Sequence, residues 1–282
     1  MERFGFVGLP NAGKSSLYNA LAGGGALAAP YAFATKDPNV GVAKVVDERL
    51  DLLAEMSKTK TIIPASVQFI DIGGLVEGAS QGEGLGNRFL ANIREADAVV
   101  FVLRAFEDDD VPGPSDPLEH LAIVETELAL ADLETIEKQV EKRKKLAKLD
   151  KSVVAEAEAL EAAYAVLAEG TPIYRSDMGE AHREVLRPWF LLTNKPVLVV
   201  VNVGEDDIDR IPEIIAPVEK EFAGHGEVIG MSVQLEAEAA QVLDPDERAE
   251  MLEGFGLGEG ALPRFTRAAY HLLGLRTFLT TG

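Results

Sequence analysis

The stretch GLPNAGKS occupies residues 8–15 and decides the fold of this chain. It follows the pattern G-x-x-x-x-G-K-[ST], whose glycines let the backbone curl so that successive N–H groups face phosphate oxygens. The short apolar run ERFGFVG precedes it, and SSLYNALAG follows with helical spacing of Leu17, Ala20 and Leu21. A strand, a glycine loop and a helix in this order predict a phosphate-binding loop at the positive end of a helix.

The last two residues of this loop have defined roles in triphosphate binding. Lys14 is expected to reach the β- and γ-phosphates of a purine nucleoside triphosphate, and the Ser15 hydroxyl is expected to ligate Mg²⁺. A chance match to the pattern is the alternative, but the strand before the loop and the helix after it are the context that the motif requires. The loop therefore predicts a site for a nucleoside triphosphate with Mg²⁺.

Two later runs have the composition of buried strands. AVVFVL at residues 98–103 and PVLVVV at residues 196–201 are apolar throughout, and both are far shorter than the roughly 18 residues of a membrane span. Strands that alternate with helices indicate an α/β fold. We expect a P-loop NTPase G domain in which helices flank a mostly parallel sheet.

Residues 118–168 break this alternation with two apolar stripes at helical spacing. The first stripe includes Leu121, Val124, Leu128 and Ala131, and the second includes Leu146, Leu149, Val153, Ala157, Leu160, Tyr164 and Leu167. Two such stripes between the early and the late part of a sheet predict an inserted antiparallel helical pair, a coiled-coil arm. We assign residues 1–117 and 190–282 to the G domain and residues 118–189 to the arm.

Two further segments predict ligands for the metal and the γ-phosphate. In FIDIGG, residues 69–74, an apolar strand ends in Asp71, which is expected to hold Mg²⁺ through a water, and the Gly74 N–H is expected to sense the γ-phosphate. Thr35 lies in a Gly-, Ala- and Pro-rich loop 20 residues after Ser15 and is expected to complete the metal shell.

Base selection is expected from the residues that follow the fifth strand. A guanine-specific site has Asn-Lys-x-Asp there, whereas this chain has Asn202, Val203, Gly204 and Glu205, so the lysine is absent and the carboxylate is one methylene longer. A site whose groups are placed to hydrogen-bond the polar edge of guanine selects that base strongly, so the loss of this arrangement should relax the preference for guanine. Ser232, in the turn after the next strand, is a further candidate contact with the base.

One catalytic side chain that is expected in a hydrolase of this type is absent from the sequence. Where Ras-type enzymes have a glutamine that orients the attacking water, this chain has Leu75, which cannot form a hydrogen bond. Hydrolysis must then use another group, a partner or a bound monovalent cation such as K⁺, for which Asn11 is a candidate ligand. We expect slow intrinsic turnover.

Charge is unevenly distributed along the chain. The 282 residues include 47 acidic and 27 basic side chains, a net charge of −20, which argues against nonspecific nucleic-acid binding by the whole surface and leaves no indication of sequence-specific DNA binding. The basic segment, residues 138–151, reverses this sign with seven basic and two acidic side chains. It is the candidate footprint for an anionic partner, and we expect it at the exposed tip of the arm.

The remaining composition constrains compartment and metal chemistry. The chain has no cysteine, which excludes disulfides and thiolate metal sites and fits the cytoplasm, and we expect neither a signal peptide nor a membrane span. His182, His225 and His271 have no ligand spacing and are expected to be surface or structural residues. His120 opens the predicted arm and is expected to be solvated.

With these motifs in place, the sequence resembles the YchF/Obg-like ATPase family of translation-factor-related hydrolases. The segments that carry the resemblance are GLPNAGKSS, AFATKDPN, FIDIGGLVEGASQGEGLGNRFLANIREAD, ETELALADLE, NVGE and LRTFLTTG. The resemblance implies a G domain, an inserted coiled-coil arm, a C-terminal TGS domain, hydrolysis of ATP in preference to or alongside GTP, and association with ribosomes. By position it also implies ligand-binding residues: for phosphate Asn11, Ala12, Gly13, Lys14, Ser15 and Ser16, for Mg²⁺ Ser15 and Thr35, and near the base Asn202, Val203 and Glu205.

The chain departs from the family pattern in two places. It stops at Gly282, before the TGS domain, which we therefore expect to be absent. The family tends to have a histidine, proposed as catalytic, in the loop after the fourth strand, but here that loop, EDDDVPGPSDP at residues 107–117, has none. The catalytic assignment therefore does not transfer.

Three functional hypotheses follow. The first is a slow Mg²⁺-dependent hydrolase that prefers ATP, tolerates GTP and acts as a ribosome-associated switch in the cytoplasm. The second is a guanine-specific Obg-type GTPase, which DIGGLVEGAS favours and Glu205 opposes. The third is a nucleotide-binding switch with negligible hydrolysis.

Overall fold

A single six-stranded sheet organises the part of the chain that the structure describes. The computed structural model describes residues 2–23, 40–70, 85–108 and 113–280. The strands are β1 (Arg3–Val7), β2 (Val40–Lys44), β3 (Ser66–Ile70), β4 (Ala98–Ala105), β5 (Val197–Val203) and β6 (Val228–Met231). Their spatial order is β2-β3-β1-β4-β5-β6, and only β2 runs antiparallel to its neighbour. The expected mostly parallel sheet is confirmed.

Ten α-helices connect and cover these strands within the described ranges. They are α1 (Lys14–Gly23), α2 (Glu48–Ser57), α3 (Leu85–Arg94), α4 (Pro117–Ala147), α5 (Val154–Ala168), α6 (Glu180–Val185), α7 (Ile211–Glu221), α8 (Val233–Ala239), α9 (Pro245–Gly254) and α10 (Leu262–Leu272). None of these helices combines the length and the hydropathy that a membrane crossing requires.

The uniform hydrophobicity of β4 has a structural cause, because both of its faces are covered. Val99, Phe101 and Leu103 lie in a cluster with side chains of α3, α4 and α7. The alternate residues Val100 and Val102 lie in a second cluster with side chains of α1 and α10. Residues 98–103 have a core on both sides and no exposed position, which is why AVVFVL lacks the alternation of a half-exposed strand.

Helix α4 packs in two environments along its length. Its first half contributes Val124 and Leu128 to the core on the sheet, and its second half packs Ile136 and Val140 against α5. With 31 residues and a rise of 1.5 Å per residue, α4 is about 46 Å long. The antiparallel pair α4 and α5 is the expected arm, while the division of the chain at residues 118 and 189 stays a prediction.

The second apolar stripe does not begin where its spacing suggested. Leu146 belongs to the last turn of α4, and Leu149 lies in the turn between the helices with 89% of its surface exposed. Asp150 follows and accepts a hydrogen bond from the Ser152 N–H at 2.9 Å, which starts a 3-10 turn before α5. The helical spacing of apolar residues in the sequence thus continues through a turn in which the helix itself is interrupted.

Asp132, at the middle of α4, fixes the chain that returns to the sheet. It is completely buried, and its carboxylate accepts hydrogen bonds from the Leu192 N–H (2.8 Å), the Thr193 N–H (2.7 Å) and the Thr193 hydroxyl (2.8 Å). The Arg94 guanidinium of α3 lies 3.5 Å from the same carboxylate. Because residues 192–194 lead directly into β5, this one side chain sets where the second half of the sheet begins.

We predict that Asp132→Asn lowers the free energy of unfolding by about 3 kcal/mol, because an amide replaces one acceptor oxygen with a donor in a site that is filled by donors. Urea unfolding followed by circular dichroism measures the change. Glu134→Gln is the matched control, since Glu134 lies on the same helix and is exposed. Equal stability of the two variants would contradict the anchoring role of Asp132.

Candidate functional site

The predicted phosphate loop lies between β1 and α1, at the carboxyl end of a strand in the middle of the sheet. Strand β1 ends at Val7 and α1 begins at Lys14, so the loop backbone enters the N-terminus of the helix. Asn11 has a φ of 63° and Gly13 a φ of 100°, the left-handed values that allow the loop to reverse. The Lys14 side chain bends back over the loop, and its Nζ donates to the Leu9 carbonyl at 2.7 Å. A glycine turn at the start of a helix, with a lysine beside it, is the arrangement that presents backbone N–H groups to phosphate.

Two glycines of the loop are required by close contacts. A Cβ at Gly8 would lie 2.3 Å from the backbone oxygen of Val102 in β4. A Cβ at Gly13 would lie 2.4 Å from Nδ2 of Asn202, in addition to the positive φ. The first glycine lets the loop approach the neighbouring strand, and the second lets it approach the residue expected to contact the base.

Asn202 connects the two halves of the site through its side-chain amide. Its Nδ2 donates to the Ala12 carbonyl at 3.1 Å, and its Oδ1 accepts from the Val233 N–H at 3.0 Å. The register of the sheet makes this possible, because Asn202 pairs with Met231, two residues before Val233. The amide thus holds the phosphate loop against the turn that leads from β6 into α8.

An open cleft of about 1260 Å³ runs along the carboxyl ends of β1, β4, β5 and β6. Ligands of open α/β sheets bind at this edge, where connections leave to opposite sides of the sheet. The predicted residues that line the cleft are Asn11, Gly13, Lys14, Ser15, Ser16, Asn202, Val203, Glu205 and Ser232. The structure therefore brings phosphate-loop and base-turn candidates into one cavity.

The other candidates differ in placement. Ala12 is fully buried and takes part through its carbonyl, which accepts from Asn202. Ser232, although it lines the cleft, is only 2% exposed at the start of α8. Thr35, Asp71 and Gly74 lie outside the described residues, as does Leu75.

Sequence reasoning missed an aromatic side chain in the cleft. Phe106 follows β4 directly, lines the cleft, and has its Cβ within 3.5 Å of the position that a Cβ on Gly204 would occupy. The buried guanidinium of Arg104 lies 4.6 Å from the centre of the Phe106 ring, and its Nε donates to the Phe106 carbonyl at 2.9 Å. An arginine at the end of an otherwise apolar strand, two residues before an aromatic, was the available signal.

The expectation that His120 is solvated is wrong. Only 1% of its surface is exposed, and its Nε2 lies 2.7 Å from the Pro114 carbonyl. The sequence suggested exposure because His120 opens the arm helix, but the first turn of α4 packs against the end of β4.

The rim of the cleft is acidic. Glu107, Asp108, Glu205, Asp206 and Asp207 line it, and Asp207 forms an ion pair of 2.9 Å with Arg210. A triphosphate beside these carboxylates is repelled unless cations neutralise it. The geometry therefore suits a phosphate chain bound together with cations.

We predict that Gly13→Ala weakens nucleoside triphosphate binding by at least about 100-fold, because the new Cβ displaces the Asn202 amide and with it the phosphate loop. Gly224→Ala is the matched control: Gly224 also has a positive φ, of 84°, but no atom lies within 4 Å of the position that a Cβ would occupy there. Calorimetric titration with a non-hydrolysable triphosphate measures both. Similar losses in the two variants would mean that backbone strain, rather than the collision, is responsible.

Comparison with known proteins agrees with this geometry. The family model described as "50S ribosome-binding GTPase" matches residues 3–145. The chain is 42% identical to the ribosome-binding ATPase YchF of Bacillus subtilis, covering 99% of this chain and 78% of that protein. It is 41% identical to the protein of the same name from Escherichia coli O157:H7, covering 99% and 77%.

A solved structure gives the same result for the fold. The Schizosaccharomyces pombe YchF GTPase superposes with a TM-score of 0.82 at 33% identity, over 96% of this chain and 75% of that one. Likeness of this extent covers the sheet, the phosphate loop and the paired helices described above. The chain therefore belongs to the YchF family of P-loop nucleotide hydrolases.

Proposed function

We propose that the chain is a slow, Mg²⁺-dependent hydrolase that prefers ATP, tolerates GTP and acts as a ribosome-associated switch in the cytoplasm. The observation that carries the proposal is the single cleft that joins the phosphate loop to a base turn without guanine-selecting groups. The names of the relatives, a ribosome-binding ATPase in bacteria and a GTPase in yeast, support hydrolysis of both nucleotides.

The base end of the cleft supports tolerance for both purines. The Asn202 amide donates one of its two N–H groups to the Ala12 carbonyl and accepts the Val233 N–H at its oxygen. Val203, at the position of the guanine-site lysine, is 2% exposed and offers no polar group to a base. Phe106 presents an aromatic surface, which stacks on adenine and guanine alike. Among the sequence candidates, Glu205 and Ser232 are then the polar groups that line the base end of the cleft.

The residues of the cleft fit Mg²⁺. A hard cation prefers hydroxyl and carboxylate oxygens, and Ser15 is exposed to the cleft beside Lys14. We propose that Ser15, Thr35 and Asp71 hold the ion together with phosphate oxygens. The ion would supply positive charge to the β- and γ-phosphates, which the acidic rim makes necessary.

We propose slow turnover because Leu75 occupies the position of the glutamine that orients the attacking water in Ras-type enzymes, and a leucine cannot form that hydrogen bond. We propose that Asn11, at the turn of the phosphate loop, holds K⁺ near the transferred phosphoryl group, and that Gly74 senses the γ-phosphate. Both groups would stabilise negative charge on the transferred phosphoryl group, and neither would orient the attacking water. Full activity would therefore depend on the monovalent cation and on a partner.

We predict that the purified chain with Mg²⁺ binds ATP at least as tightly as GTP, because the lysine and the aspartate of the guanine-selecting motif are replaced by Val203 and Glu205. Parallel calorimetric titrations with non-hydrolysable ATP and GTP analogues measure this. Affinity for GTP exceeding that for ATP by about 100-fold would instead identify a guanine-specific GTPase. Single-turnover hydrolysis with ribosomes and K⁺ separates the third hypothesis, since a pure binding switch leaves ATP intact.

The arm supports the ribosome-associated part of the proposal. Arg143 and Lys144 turn towards α5, where they form ion pairs of 3.3 Å with Glu156 and 2.8 Å with Glu161. The other lysines of the basic segment on α4, namely Lys138, Lys142 and Lys145, are exposed and take part in none of the ion pairs among the described residues. We call these three residues the lysine stripe.

The lysine stripe continues the side of α4 that faces the sheet. Its members follow Ala131, a core residue on the sheet, by seven, eleven and fourteen residues, which are close to whole turns of a helix. Thr135 accepts a hydrogen bond from Arg94 of α3 at 2.9 Å, and beyond it the three lysines of this side are exposed among the residues that the structure describes. We propose that an anionic surface of the ribosome, either rRNA or an acidic protein, binds to the lysine stripe.

We predict that the triple change Lys138→Glu, Lys142→Glu and Lys145→Glu abolishes co-sedimentation with ribosomes, because it replaces three exposed cations with anions. A second variant has glutamine at these three positions. If the contact is to rRNA phosphates, the slope of log K against log salt concentration should become less steep by about two to three in this variant, because three fewer cations displace counterions.

The matched control reverses three exposed lysines of the body, Lys44, Lys60 and Lys220, and so changes the net charge by the same amount. Retained binding in this control with loss in the stripe variant supports the arm contact. Unchanged co-sedimentation of the stripe variant would rule that contact out.

A further inference from the structure

His120 connects the root of the arm to both ends of the loop beside the cleft. Its Nε2 lies 2.7 Å from the Pro114 carbonyl, and its Nδ1 lies 3.5 Å from the Arg104 N–H. A carbonyl can only accept and a backbone N–H can only donate, so the ring carries its proton on Nε2 and accepts at Nδ1. The neutral ring is therefore the form that satisfies both contacts.

The surroundings of His120 favour this neutral form. Burial lowers the pKa of His120, and the positive charges of Arg104 and Lys14 lower it further, against opposing contributions from the Pro114 carbonyl and Glu119. A doubly protonated ring would point an N–H at the Arg104 N–H.

The two groups that His120 holds lead directly to the cleft. Arg104 supports Phe106 from behind, with its guanidinium 4.6 Å from the ring centre and its Nε on the Phe106 carbonyl. Pro114 precedes Ser115, which lines the cleft on the far side of the same loop. His120 itself is not among the lining residues. It can influence a ligand only through the residues that it positions.

We propose that His120 is a positioning residue for the purine base: it holds Arg104 and Pro114 so that Phe106 faces the base. This inference rests on the proposed binding of a purine nucleotide in the cleft. It assigns no contact between His120 and the phosphates. Loss of His120 should therefore weaken the binding of the base and leave the binding of the phosphate chain unchanged.

The test compares two ligands, non-hydrolysable ATP and inorganic tripolyphosphate, each with Mg²⁺, by calorimetric titration. His120→Phe, which removes both contacts, should weaken ATP binding by about tenfold, the effect of one lost stacking contact, and leave tripolyphosphate affinity unchanged. Quenching of a 2-aminopurine nucleoside triphosphate on binding, which reports stacking, should decrease in parallel.

Two conservative variants separate the contacts. In His120→Gln the amide nitrogen can reach the Pro114 carbonyl, and in His120→Asn the amide oxygen can replace Nδ1 as the acceptor for Arg104. Because the Pro114 contact is the shorter one, the Gln variant should recover more ATP affinity than the Asn variant. In a Phe106→Ala background, His120→Phe should cause no further loss. His271→Phe, at the exposed end of α10, is the control.

The outcomes distinguish the inference from the function on which it rests. Failure of the unaltered chain to bind ATP would overturn the proposed function. Normal ATP binding by the His120→Phe variant would overturn the positioning role alone. Equal loss of ATP and tripolyphosphate affinity would also overturn it, because His120 would then support the whole cleft.

Discussion

The side-chain amide of Asn202 is the interaction on which the site depends. It holds the Ala12 carbonyl with its nitrogen and the Val233 N–H with its oxygen, so the phosphate loop and the base turn cannot move apart without breaking it. The contact is close enough that Gly13 has no room for a side chain. Two segments about 190 residues apart in sequence become one binding surface through this amide.

The second constraint is the continuous helix α4, which belongs both to the core and to the arm. Its root contacts Arg104 and Pro114 beside the cleft through His120, its middle anchors the start of β5 through Asp132, and its far end carries the lysine stripe. The lysine stripe, the anchor of β5 and the residue beside the cleft therefore belong to one continuous helix of 31 residues.

Much of the fold could be predicted because the decisive patterns are local. The phosphate loop needs a strand, glycines and a helix within about twenty residues, and β4 and β5 are visible as apolar runs. Contacts between distant segments were not visible. Leu149 keeps the helical period although it lies in an exposed turn, and His120 opens a helix that looked free although the end of β4 covers it.

The sequence by itself determined the phosphate loop, the α/β class, the paired helices and the departure from a guanine-selecting motif, since each depends on residue type at short spacing. Only the tertiary structure decided which side chains share the cleft. Phe106 lines it with the buried Arg104 guanidinium against its ring, and Asn202 bonds to both the phosphate loop and the base turn because β5 lies between them. The Asn202 contacts join residues that are far apart in sequence and that the sheet order brings together, which short-range patterns do not encode.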